Sequence, residues 1–201
     1  MIVVVDYGMG NLRSVQKGFE KVGEHAVISR DQKEIREADK LVLPGVGAFP
    51  QCMENLAGLD LIDPIRDFIA SERPFLGICL GLQLLFDESE EFGGHDGLGI
   101  VPGKVRQFDR AMGLKIPHMG WNEVFFANDC PLFTGIPDGS FFYFVHSFFV
   151  DPENPQDTAA ESEYGIRFTC AVQRNNLFAV QFHPEKSQDL GLTILKNFGR
   201  L

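Results

Sequence analysis

Short apolar runs at residues 2–5, 25–28, 40–43 and 74–78 alternate with stretches whose apolar residues recur at helical spacing, and no other feature constrains the chain as strongly. A strand apolar at nearly every position needs cover on both faces, and strand–helix succession supplies it. The pattern therefore predicts an α/β fold with a central, mostly parallel sheet flanked by helices. Helices are expected from an Asn11 cap to about residue 22, at 34–38, at 59–71 with Pro64 in the first turns, and at 80–86 directly after the fourth strand. Pro44 and Gly45 are expected to stop the third strand. The second half changes character. Residues 104–108, 120–125, 141–150, 159–162, 168–174 and 177–182 read as further strands, antiparallel additions that either extend the first sheet or build a second, before a last helix at about 189–198. Residues 1–201 are the right length for one domain.

A formal net charge of −10 argues against nucleic acid and against an anionic membrane surface, both of which select clustered Lys and Arg. The first residues lack the basic and long apolar regions of a secretory signal, and no stretch approaches the roughly 20 apolar residues of a membrane span. The cysteines at 52, 79, 130 and 170 form no CxxC pair, so neither a disulfide framework nor a metal site is expected, and a cytoplasmic location is. Asp6-Tyr7-Gly8-Met9-Gly10-Asn11 resembles a dinucleotide loop until position 13, where Arg13 stands in place of the third glycine. No acidic residue closes the second strand either, so nicotinamide cofactors are rejected and no cofactor is expected.

Chemistry concentrates in three places. Gly77-Ile78-Cys79-Leu80-Gly81 puts a nucleophile at a strand–helix junction between glycines at −2 and +2, the G-x-nucleophile-x-G elbow with cysteine in the serine position. A helix that starts at once aims its free N–H groups at the sulfur and favours the reactive thiolate. A buried structural cysteine packed between glycines would share the pentapeptide. His183 ends an apolar strand and is followed by Pro184-Glu185. If that segment is extended, His183 and Glu185 lie on one face, and the carboxylate can orient the ring while the second nitrogen serves the thiol. Third, Leu43-Pro44-Gly45-Val46-Gly47-Ala48-Phe49 follows another apolar strand. It suits an ordinary tight turn, and equally one half of an oxyanion hole through Val46 or Gly47, with the Leu80 N–H as the other half.

Together these segments resemble the triad class of glutamine amidotransferases. Gly77, Cys79, Gly81 and Gln83 satisfy that family's G-x-C-x-G-x-Q signature, and His183-Pro184-Glu185 its H-P-E block. The branch serving histidine biosynthesis is the most similar, through Val5–Leu12, Leu43–Phe49, Pro117-His118-Met119-Gly120-Trp121-Asn122, Tyr143–Ser147 and Gln181–Gln188. The resemblance implies a catalytic triad of Cys79, His183 and Glu185. It implies glutamine contacts at Gly45, Gln83, His146, Ser147 and Phe148, the last standing where Tyr is common. It also implies a heterodimer with a separate βα-barrel cyclase, which uses the ammonia to make imidazole glycerol phosphate and an aminoimidazole carboxamide ribotide. Pro117, His118, Met119, Trp121 and Asn122 are expected to face that barrel. The alternative, a glutaminase of pyridoxal phosphate synthesis, carries a G-G-E-S-T run that is absent here.

Overall fold

The structure, a computed structural model describing residues 1–201, joins thirteen strands into one branched sheet. In chain order the strands are β1 (Ile2–Val5), β2 (Ala26–Ser29), β3 (Lys40–Gly45), β4 (Phe75–Cys79), β5 (Phe86–Ser89), β6 (His95–Asp96), β7 (Val101–Gln107), β8 (His118–Phe126), β9 (Ser140–His146), β10 (Phe148–Pro152), β11 (Thr158–Tyr164), β12 (Ile166–Arg174) and β13 (Leu177–Val180). The helices are α1 (Leu12–Lys21), α2 (Gln32–Glu37), α3 (Phe49–Gly58), α4 (Ile62–Ala70), α5 (Leu80–Gln83) and α6 (Gln188–Gly199).

Strands β2-β1-β3-β4-β13 run parallel, and antiparallel pairing then carries the sheet through β12 and β10 to β7. A branch leaves β12 through β11 to β8 and β9. Alternation along the buried strands feeds two cores. Ile2 and Val4 pack on one face with Phe19, Ile194 and Phe198, while Val3 and Val5 pack on the other with Ile35, Phe49 and Phe68. No helix is long and apolar enough to cross a membrane.

Several elements depart from the pattern expected of the sequence, each for a local reason. β3 runs through Pro44 to Gly45, because pairing with β1 ends at Val42 and the missing N–H then faces no partner strand. A helix at 59–71 was expected; the chain forms α4 there and also α3, which buries Phe49, Cys52 and Leu56 on one face. The helix after Cys79 lasts only four residues, since Phe86 belongs to β5, which pairs with β7. The run 141–150 splits at Ser147, because β9 pairs with β8 in the branch whereas β10 pairs with β7 and β12. Asn11 precedes α1 but makes no side-chain cap; Asp31, by contrast, caps α2 by accepting from the Lys33 and Glu34 N–H groups.

Candidate active site

The C-terminal ends of β3, β4 and β13 bring the three sequence segments to one edge of the sheet. Cys79 is the last residue of β4 and takes φ +54 and ψ −111, outside the regions open to most side chains. Its flanking glycines are steric necessities. A Cβ at Gly77 would meet Ala179 and the Gly81 carbonyl at 2.9 Å, and one at Gly81 would fall on the Leu43 carbonyl oxygen. The strained turn thus depends on glycine at both positions. Gln181 donates its Nε2–H toward the Cys79 sulfur at 3.8 Å.

His183 sits three residues beyond the end of β13, its N–H held by the Tyr143 carbonyl at 2.9 Å. Its Nδ1 donates to Glu185 Oε1 at 2.8 Å, and both side chains are buried. The pair does not meet as an extended segment, however. Only His183 is extended; Pro184–Lys186 is a 3-10 turn closed by Lys186 N–H on the His183 carbonyl at 3.0 Å. Proline fits the first position of such a turn as well as it fits a strand. Burial alone would lower the His183 pKa, but the Cys79 sulfur and the Glu185 carboxylate outweigh it and push it up to about 10. Both neighbours thus favour the protonated ring. Its Nε2 is buried and has no hydrogen-bond partner.

A cavity of about 270 Å³ opens beside the sulfur, lined by Val46, Gly47, Cys79, Leu80, Gln83, Glu91, Pro117, Val145, His146, Ser147, Phe148 and His183. Its size suits an amino acid better than a drug-sized ligand. The 44–47 loop is tied down from behind. Tyr7 donates its O–H to the Pro44 carbonyl at 2.8 Å, and the Cys52 thiol donates to the Val46 carbonyl at 3.7 Å. Across the planar peptide, the Gly47 N–H must then point away from Cys52. Gly45 is hemmed in, since a Cβ there would meet Leu80, the Gly81 nitrogen and the Tyr7 hydroxyl within 2.9 Å.

Gln83 is buried and donates to the Phe148 carbonyl and to Gln181 Oε1, both at 3.1 Å. His146 lines the cavity, but its ring nitrogens engage the Phe148 carbonyl and His118. Only its backbone is left free for a ligand. Two participants escaped the sequence. Glu91 lines the cavity, with Oε2 accepting the Phe49 N–H at 2.7 Å, yet it sits in an acidic run that looks like any solvated surface. Gln181 is fully buried beside the sulfur and carried only the signal of a polar residue inside an apolar run.

The 117–122 segment divides by side. Met119 and Trp121 are 53% and 46% exposed and lie on one face of the β8–β9 ribbon with Phe141, 51% exposed. Pro117 lines the cavity. His118 points inward instead, 4% exposed and stacked on Phe144 and Tyr164, because alternation along β8 sends every second residue to the core. Asn122 reaches the same interior network.

The family model described as Glutamine amidotransferase class-I matches residues 3–200. The imidazole glycerol phosphate synthase subunit HisH of Syntrophotalea carbinolica is 57% identical over 204 residues, covering 99% of this chain and 99% of that protein. The HisH subunit of Geobacter metallireducens is 54% identical over 202 residues, covering 98% of this chain and 96% of that protein. Among solved structures, a glutamine amidotransferase matches with a TM-score of 0.76 at 18% identity, covering 99% of this chain and 100% of that one. PurLQS from Thermotoga maritima matches with a TM-score of 0.75 at 17% identity, covering 99% and 95%. At these identities the structural likeness speaks for the fold alone.

Proposed function

The chain belongs to the class-I glutamine amidotransferases, and from that premise we propose that it is the glutaminase subunit of imidazole glycerol phosphate synthase, acting as a single domain over residues 1–201. It hydrolyses glutamine to glutamate and ammonia, and the ammonia passes to a cyclase in histidine biosynthesis. The observation that carries the reading is the buried His183–Glu185 pair beside the strained Cys79, at one wall of an amino-acid-sized cavity.

The residues divide the work as follows. Cys79 sulfur adds to the side-chain amide carbon, and the oxygen that becomes negative is met by the Leu80 N–H and the Gly47 N–H. His183, already protonated, gives its Nε2 proton to the departing ammonia, leaving a glutamyl thioester. Neutral His183 then takes a proton from water as the water attacks, and glutamate leaves with the sulfur restored. Glu185 fixes the ring throughout. The substrate lies along Gly45, Gln83 and the backbone of His146, Ser147 and Phe148. Glu91 is the acidic side chain that lines this cavity, and it complements the α-ammonium group.

The partner is a βα-barrel cyclase forming a heterodimer in the cytoplasm. It docks over the apolar face of Met119, Trp121 and Phe141 beside Pro117 at the cavity wall. Met and aromatic residues are enriched in interface cores, and ammonia leaving the cavity needs a contact that excludes bulk water. The test is glutamate release from glutamine with and without a candidate barrel cyclase. Release that rises when the cyclase is present supports the reading; no release in either case defeats it.

A further inference from the structure

Between the cavity and the exposed ribbon face lies a buried chain of polar side chains that the reaction steps do not use. Its proton positions follow by elimination. The Phe148 carbonyl can only accept, so His146 Nδ1 carries the hydrogen across their 2.7 Å contact. Burial holds the His146 pKa at about 3, against a smaller opposing effect of that same hydrogen bond, and holds the His118 pKa at about 4. Both rings are therefore neutral at physiological pH, with one N–H each. His146 Nε2 must accept, and His118 Nδ1 donates to it at 2.8 Å. His118 Nε2 is left to accept from Asn122 Nδ2 at 3.2 Å, and the other hydrogen of that amide goes to the Glu163 carbonyl at 2.8 Å.

At its other end the chain reaches the nucleophile. The Phe148 carbonyl also accepts from Gln83, Gln83 donates to Gln181, and Gln181 donates toward the Cys79 sulfur. His118 itself is clamped between the Tyr164 and Phe144 rings, with centroids 4.1 and 5.0 Å away and planes within 26°. A ring held so firmly, with one nitrogen serving each neighbour, fixes whatever it bonds.

We propose that His118 is a positioning residue for glutamine hydrolysis: through His146 it fixes the Phe148 carbonyl and Gln83, and so sets the cavity wall that glutamine contacts. The inference rests on glutamine occupying this cavity. Without the His118 N–H, His146 Nε2 becomes an unpaired buried acceptor, and the ring can satisfy it only by turning away from the Phe148 carbonyl.

Two measurements test it. Nitrogen-15 spectra of the imidazoles in the wild-type chain should show Nδ1 protonated and Nε2 bare in both rings. This needs no substrate, so it decides the relay even if the functional reading fails. Steady-state glutamine hydrolysis, with the barrel cyclase saturating, should show KM raised about tenfold in His118→Phe and kcat changed by less than about threefold. Phenylalanine keeps the stacking but not the donor. His118→Asn, which returns an amide N–H near the place of Nδ1, should recover most of the loss. A merely structural role gives another pattern, because a partly unfolded preparation loses kcat at unchanged KM. That pattern, or a bare Nδ1 in either ring, would overturn the proposal. A wild-type enzyme that left glutamine intact would instead overturn the functional reading.

Discussion

Cys79 combines a backbone conformation that few side chains tolerate with a sulfur facing a protonated imidazole, and neither property is useful without the other. The turn exposes the sulfur to the cavity, and in the proposed reaction His183, oriented by Glu185, supplies the proton the leaving group requires. Because the members act as a unit, losses on mutation should not multiply. Cys79→Ala and His183→Ala are each expected to lower kcat by about 10³-fold or more, and the double variant by little beyond the worse single. Glu185→Gln keeps a group that can orient the ring but removes its charge, so it should cost less than His183→Ala. Glutamate release by the four variants, at glutamine well above KM, measures all of this. Cys79→Ala should still bind glutamine. These three residues were legible because each sits in a short motif, and at Cys79 sterics enforce the spacing, as the collisions at Gly77 and Gly81 show. Glu91 and Gln181 were not legible, since their roles come from tertiary approach and no local pattern marks it.

Short strands apolar throughout were readable, and a run divided between two parts of the sheet was not. β1 and β4 fall where apolar runs place them, within a residue. The run 141–150 is continuous in hydrophobicity, and only the branching of the sheet forces its break at Ser147. The single-sided burial of β8 likewise separates His118 from Met119 and Trp121, a division that segment-level resemblance cannot make. The His118–His146 contact across β8 and β9 has a consequence for acid stability. Both folded pKa values are depressed, to about 4 and about 3, so the unfolded chain binds more protons below pH 6.5. Stability from these rings is thus complete above about pH 6.5 and falls as the pH drops toward 4. Each ring contributes a slope of up to about 1.4 kcal/mol per pH unit in that window. His118→Phe titrates one ring fewer. Denaturant unfolding at pH 7, 6, 5 and 4 should therefore show its curve flatter than wild type by about one such slope. Parallel curves would mean that His118 is charged in the folded state or titrates as it does when unfolded.

Across the molecule, the parallel half of the sheet holds Cys79 and the antiparallel branch holds the exposed apolar face, so the proposed catalytic and docking surfaces are carried by the two halves of one sheet. Sequence established the two halves but left open whether they formed one sheet, because long-range antiparallel pairing has no local signature. The exposed Trp121 gives this arrangement a test of its own. Trp121→Ala should leave the chain folded yet weaken the cyclase or break stoichiometry, so that glutamate exceeds imidazole glycerol phosphate formed. Unchanged affinity and unchanged stoichiometry would remove Trp121 from the interface. The central claim, that this chain opens glutamine at Cys79, is tested most directly by covalent trapping in the presence of the cyclase. An electrophilic glutamine analogue should place close to one label per chain on the peptide containing Cys79, with excess glutamine protecting it and His183→Ala slowing it. A label on Cys52, Cys130 or Cys170, or a label that glutamine does not compete away, would contradict the account.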